Sequence, residues 1–217
     1  PELYNHIDPS VVGNDQRVLV TEMAGRASVE LKSKEIGYDL STNKEGVGAV
    51  VNKVKELESQ GWSFEAADAS FELLLLEHAG EGRPKHFTLE SWRVIVDQDA
   101  DGKVTSEAIV KVHANNERIV ANGEGNGPVN ALDNALRAAV NQLYPELSSI
   151  ELTDYKVRIL EGVHGTDAVT RVLVSSTNGN EDWTTIGVHE NVIAASWMAL
   201  EDAVTFGLLK AGRKEAK

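Results

Sequence analysis

The sequence predicts an α+β protein in which a helical segment precedes two βββα repeats that form one pseudo-two-fold domain. Three observations predict it. Apolar residues recur at helical spacing up to about Gly80, and they alternate in short β-branched runs beyond it. The order strand, strand, strand, helix then occurs twice, with matching residues in the last strand and helix of each copy.

In the first segment, Thr42-Asn43-Lys44-Glu45 has capping-box spacing, and Val47, Val50, Val51, Val54 and Leu57 follow on one helical face, with Gly61 as the stop. A second helix is expected from Glu65 through Leu76, with apolar positions on more than one face, so it should pack against two neighbours. The small, polar, Gly/Pro-broken stretch from Ala79 to Pro84 is the expected linker. It divides the chain into residues 1–82 and 83–217.

Strands are expected over Trp92–Val96, Val104–Val112 and Arg118–Val120, followed by a helix from about Pro128 to Leu143. The second set is Tyr155–Leu160, Val169–Val174 and Trp183–Gly187, followed by a helix from about Asn191 to Leu209. The repeats therefore run over about 86–147 and 150–212. Sliding Gly123–Val140 by 64 positions onto Gly187–Val204 gives six identities: Gly123/Gly187, Ala131/Ala195, Ala135/Ala199, Leu136/Leu200, Ala139/Ala203 and Val140/Val204. Roughly one or two would arise by chance between Ala-rich helices, so a duplication is the better explanation. One small sheet and one helix bury too little core alone, so the halves should pack together or pair with another chain.

Composition narrows the function. With 21 Lys plus Arg against 34 Asp plus Glu, the net charge is −13 and the field repels nucleic acid. There is no cysteine, which removes disulfides, thiolate metal sites and a Cys nucleophile and fits a reducing cytoplasm. No apolar run reaches the roughly 18 residues of a membrane span, and the start carries no signal-peptide pattern. Because the chain begins with Pro1, it is expected to be part of a longer protein.

Several motif matches fail on inspection. Asp97-Gln98-Asp99-Ala100-Asp101-Gly102 imitates the start of a calcium loop, but the twelfth position is Ala108 and strands flank it, so Asp101-Gly102 reads as a hairpin turn. The six histidines form no close metal-ligand pair, and no GxSxG elbow is present. The most informative string is Gly123-Glu124-Gly125-Asn126-Gly127-Pro128-Val129-Asn130-Ala131, a Gly-rich strand exit entering a helix with Pro at its first position. A dinucleotide fingerprint would need Gly where Pro128 stands, and no P-loop Lys follows. Free amides at that helix start suit a small carboxylate; alternatively the glycines only make a tight turn.

Two sets of residues resemble a known family. Tyr4-Asn5-His6-Ile7-Asp8-Pro9, Val12-Gly13-Asn14, Arg17-Val18-Leu19-Val20 and Ala24-Gly25-Arg26 resemble the segment after the catalytic barrel of 2-isopropylmalate and citramalate synthases. Gly125–Ala131, Asp154-Tyr155-Lys156-Val157-Arg158 and Gly187-Val188-His189-Glu190-Asn191 resemble the C-terminal allosteric domain of that family, with Asp154–Leu160 closer to the citramalate branch. The resemblance implies a helical connecting subdomain and a regulatory domain that dimerises. It implies binding of a branched-chain amino acid, isoleucine or leucine, between βββα units. It places the divalent metal and acetyl-CoA only in the absent TIM barrel, so this piece should bind without catalysing. Met23 stands where many relatives carry a His that helps cover the partner's active site, so no catalytic assistance is assigned to this segment. Carried over by position, the effector pocket would draw on Gly125, Asn126, Val129, Asn130, Leu152, Tyr155, Ile159, Ala168, Thr170 and Val192. A module that only dimerises is the structural alternative.

Overall fold

The computed structural model describes Val11 and residues 26–38, 40, 43–79, 82–160 and 168–212. The Tyr4–Asn14 and Arg17–Gly25 strings and Met23 lie outside them, apart from Val11. Three helices come first: α1 (Arg26–Glu35), α2 (Lys44–Ser59) and α3 (Asp68–Ala79). They are followed by β1 (Thr88–Gln98), β2 (Val104–Ala114), β3 (Glu117–Gly125) and α4 (Pro128–Val140). After a 3-10 turn at Pro145–Ser149 come β4 (Glu151–Ile159), β5 (Thr170–Thr177), β6 (Asp182–His189) and α5 (Val192–Lys210). The βββα order thus occurs twice, in two separate antiparallel sheets ordered β1-β2-β3 and β4-β5-β6.

Two local expectations need correction. The cap of α2 is Asn43, whose side chain accepts from the Gly46 amide at 2.8 Å, while Thr42 lies outside the described residues. Asn43 also donates to the Ala79 carbonyl at 3.0 Å and so ties the start of α2 to the end of α3, a long-range bond that local spacing does not reveal. Helix α4 stops at Val140, three residues before the expected Leu143, because the chain turns there toward Pro145.

The duplication extends beyond the matching residues. The first strand of each unit carries a register shift at the same place, between Leu89 and Ser91 and between Leu152 and Asp154. Leu89 pairs with Val112 and Leu152 with Ser176, so the two pairs correspond at offsets of 63 and 64. The helices are also set alike. A Cβ at Gly123 would overlap the Ala135 amide, and one at Gly187 would overlap the Ala195 carbonyl. In both units the glycine lets the last strand lie directly against the helix backbone.

One core joins the units. Val110, Val112, Leu132 and Leu136 of the first pack with Val172, Val174, Leu200 and Val204 of the second, with α4 against α5. Ser70 Oγ accepts from the Ile186 amide at 3.0 Å, so α3 covers the outer edge of β6. Ser70 donates in turn to Asp202 Oδ2 at 2.6 Å, and Arg83, in the expected linker, pairs with Asp202 Oδ1. Burial pushes the Asp202 carboxyl above the usual carboxylate range, against the pull of Arg83 and the Ser70 hydroxyl. Burial alone would lower the Arg83 guanidinium; Asp202, Glu201 and Glu77 outweigh it and the net shift is upward.

Helix α5 is apolar all round, since β5, β6, α3 and α4 surround it. No unbroken apolar run of about 18 residues occurs in it, since Glu201 and Asp202 interrupt it. By length and overall composition it is nonetheless apolar enough for a span: an 18-residue stretch of its 19 residues has a mean hydropathy of 1.5, with 67% of that stretch buried inside the protein. An interior helix and a spanning one share that composition; here neighbouring elements supply the apolar surroundings.

Candidate functional site

The informative Gly-rich string forms the entry to α4. None of Gly123, Gly125 and Gly127 has a positive φ. Gly123 and Gly125 are required by close approach instead: a Cβ at Gly125 would sit 2.5 Å from the Ala131 amide nitrogen and 2.6 Å from Asn130 Oδ1. Gly127 caps α4 in extended geometry without a side-chain hydrogen bond, and Pro128 follows without an N–H. The Asn130 side chain accepts from the Asn126 amide at 3.3 Å, pointing back along the chain rather than over the helix start. The first amides of α4 therefore lack a side-chain cap, and the positive end of the helix dipole is left for an acceptor.

These amides border a cleft of about 790 Å³. Its walls are residues 126–130 with Asp133 and Arg137 from α4, residues 150–152 with Tyr155 from the start of β4, and Val192 with Ile193 from α5. It therefore lies between the two βββα units. Tyr155 Oη shares a hydrogen bond with Ser196 Oγ at 2.8 Å, and Ser196 donates to the Val192 carbonyl at 2.6 Å, which fixes the phenol ring against the first turn of α5. Arg137 donates to Asp133 Oδ2 at 2.9 Å and to the Ile150 carbonyl at 2.6 Å, anchoring the strand entry to α4.

A family model described as the LeuA allosteric (dimerisation) domain matches residues 65–208. The chain belongs to this family. The match takes in α3 as well as both βββα units, so it begins before the linker. The chain is 62% identical over 213 residues to the (R)-citramalate synthase of Streptomyces coelicolor, covering 98% of this chain and 40% of that protein. It is 42% identical over 208 residues to the (R)-citramalate synthase of Aquifex aeolicus, covering 95% of this chain and 39% of that protein. A 2-isopropylmalate synthase of Acetivibrio thermocellus is 27% identical over 202 residues, at 93% and 37% coverage. The chain thus spans about two-fifths of the length of these relatives.

Within the LeuA domain, six of the ten residues named from the sequence line the cleft: Asn126, Val129, Asn130, Leu152, Tyr155 and Val192. Gly125 lies behind them, at the strand exit. Ile159, Ala168 and Thr170 do not line it. Ile159 pairs with Thr170 at the other end of β4 and is 70% exposed, while Ala168 and Thr170 are buried. The physical reason is length: seven residues of extended strand from Leu152 to Ile159 span about 23 Å, more than one such cleft. Asp133, Arg137, Ile150 and Ile193 line the cleft and were not anticipated. Asp133 and Arg137 at i,i+4 read as an ordinary surface ion pair. Their i+4 spacing from Val129 places all three on one helical face, a signal that could have found them.

The second unit treats its helix start differently. Asn191 caps α5 by accepting from the Ile193 amide at 2.9 Å and the Ala194 amide at 3.1 Å. Of the two α4 and α5 starts, only the first leaves its amides uncapped by a side chain.

Proposed function

We propose that this chain is the effector-sensing and dimerising region of an acetyl-CoA-dependent citramalate synthase, mediating end-product inhibition in the cytoplasm, with isoleucine as the effector. The observation that carries the reading is the cleft, where uncapped α4 amides face apolar walls from Val129, Leu152, Tyr155, Val192 and Ile193. Amides at a helix start suit a carboxylate, and aliphatic and aromatic walls suit a branched side chain. The names of the relatives support a citramalate synthase as the parent; with a relative named 2-isopropylmalate synthase at 27%, the same region of that enzyme with leucine as effector is the alternative. A methylene more or less in such a pocket is worth about 1–3 kcal/mol, so isoleucine, leucine and valine should differ by finite factors. Val157, Ile159 and Val192 of the second unit expose apolar surface, which a second copy would cover in the dimer. Inhibition follows if the ligand binds one arrangement of that dimer better than another and so biases the barrel attached to it.

Calorimetric titration with the three branched-chain amino acids tests this. Isoleucine is expected to release or absorb heat with saturable binding. Tyr155→Ala and Asn126→Ala should each weaken it about tenfold or more while sedimentation still shows a dimer. A module that only dimerises gives no heat with any of the three at millimolar ligand, and that result would overturn the proposal.

A further inference from the structure

The duplication supplies an internal comparison at the cleft. Sliding α4 onto α5 by 64 positions sets Asp133 against Trp197 and Arg137 against Glu201. The two helices are otherwise placed alike on their sheets, so the exchange of a carboxylate for an indole marks a function that one unit has and the other lacks. It accompanies the difference in capping: the unit with Asp133 leaves its helix amides open, and the unit with Trp197 closes them with Asn191.

Asp133 is 8% exposed and stands in the wall of the cleft. Its Oδ2 takes the Arg137 Nε, and its Oδ1 accepts no hydrogen bond from any described residue. An ionised carboxylate offers about four acceptor positions, and buried polar atoms are ordinarily satisfied. Oδ1 is itself buried beside the cleft, and a donor from an occupant reaches it when the carboxylate turns toward the cleft. Asp133 follows Val129 and Asn130 by one helical turn, a rise of about 5 Å. That is within reach of the carboxylate and ammonium of one α-amino acid when each adds a hydrogen bond of about 2.9 Å. Arg137 gives Nε to Asp133 and Nη1 to the Leu147 and Ile150 carbonyls, which fixes its guanidinium beside Asp133 at the strand entry. Glu151, the other acidic residue in the wall, is exposed and solvated.

We infer that Asp133 is the ammonium-binding residue of the cleft, so that the LeuA domain selects a free α-amino acid over the 2-oxo acid of the same skeleton and holds one per chain. This rests on the cleft being the effector site. The Asp133 carboxylate turns by a small χ2 rotation to present its open lone pairs, a soft motion for this side chain. The residue acts in specificity; the apolar walls, common to both ligands, supply affinity without discriminating between them.

The test is calorimetric titration of the wild-type chain, Asp133→Asn and, as a control outside the cleft, Glu117→Gln with isoleucine and with 3-methyl-2-oxopentanoate. The wild type is expected to bind one isoleucine per chain and to bind the oxo acid about ten- to a hundredfold more weakly, as for loss of a charge-assisted hydrogen bond. Asp133→Asn keeps an oxygen for Arg137 and should lose about the same factor for isoleucine alone, while Glu117→Gln stays within about twofold. Equal binding of isoleucine by Asp133→Asn with an unchanged melting temperature overturns the inference. So does equal binding of the oxo acid by the wild type, or two ligands per chain. If Asp133→Asn does not fold, the wild-type comparison of the two acids decides alone. Failure of the wild type to bind any branched-chain amino acid defeats the effector reading itself and this inference with it. Binding that ignores Asp133 defeats only the inference.

Discussion

Gly187→Ala will lower the melting temperature by about 6–12 °C, corresponding to about 3 kcal/mol in a chain of this size. Position 187 has no room for a methyl group. An added Cβ would overlap the Ala195 carbonyl oxygen and lie 2.9 Å from both the Ala195 carbonyl carbon and the Met198 Cβ. The obstacle is mainly helix backbone, which cannot rotate away, so β6 and α5 must separate and disturb the core around Val172, Val174, Leu200 and Val204. Gly127→Ala provides the contrast, because no atom lies within 4 Å of a Cβ there and the loss should stay within about 1 kcal/mol, as for an altered helix cap. Differential scanning calorimetry of the two variants checks the pair. A Gly187→Ala protein melting within about 2 °C of wild type would mean that β6 does not lie directly on α5.

Arg83→Ala is expected to destabilise the chain by about 3–5 kcal/mol at neutral pH, because it leaves the Asp202 carboxylate buried without its guanidinium partner. The pH dependence gives the sign. Burial already holds the Asp202 carboxyl above its ordinary range, and loss of Arg83 moves it higher. A carboxyl whose folded pKa exceeds its unfolded one weakens the fold above that pKa, and the penalty disappears as pH falls through it, since the folded state then binds a proton the unfolded chain does not yet hold. The gap between Arg83→Ala and wild type should therefore narrow between pH 7.5 and pH 5 in urea unfolding. A gap that stays constant or widens would refute this account. In an Asp202→Asn background, the same Arg83 substitution should cost about 1 kcal/mol or less, since no buried charge is stranded.

The same helix links the cleft to the helical segment. Val192, Ile193 and Ser196 at one end of α5 meet the cleft and Tyr155. Asp202, two turns on, holds Ser70 of α3 and Arg83, and Lys210 at its last turn pairs with Glu72 of α3 at 3.1 Å. An occupant of the cleft therefore touches a rigid element whose other end is bonded to the helical segment.

The sequence alone determined the order of elements, the duplication and most of one wall of the cleft. Those features are local: the 3.6 and 2.0 periodicities record which face of each element is buried, and the Gly123/Gly187 to Val140/Val204 matches record two copies of one strand-to-helix approach. The glycines of the α4 entry had two readings, a carboxylate site and a tight turn; the packing distances add a role neither reading contained, close approach of the strand to the helix at Gly123 and Gly125. Only the tertiary structure could show that Ser70 and Arg83 meet Asp202, because Asp202 lies 132 and 119 residues from them along the chain. Only it could remove Ile159 from the cleft, whereas the i+4 spacing from Val129 already put Asp133 on the same face of α4. Spacing along an element says which residues share a face, whereas a cleft is formed by the elements that come to rest opposite that face, and that choice belongs to the packing of the two units against each other.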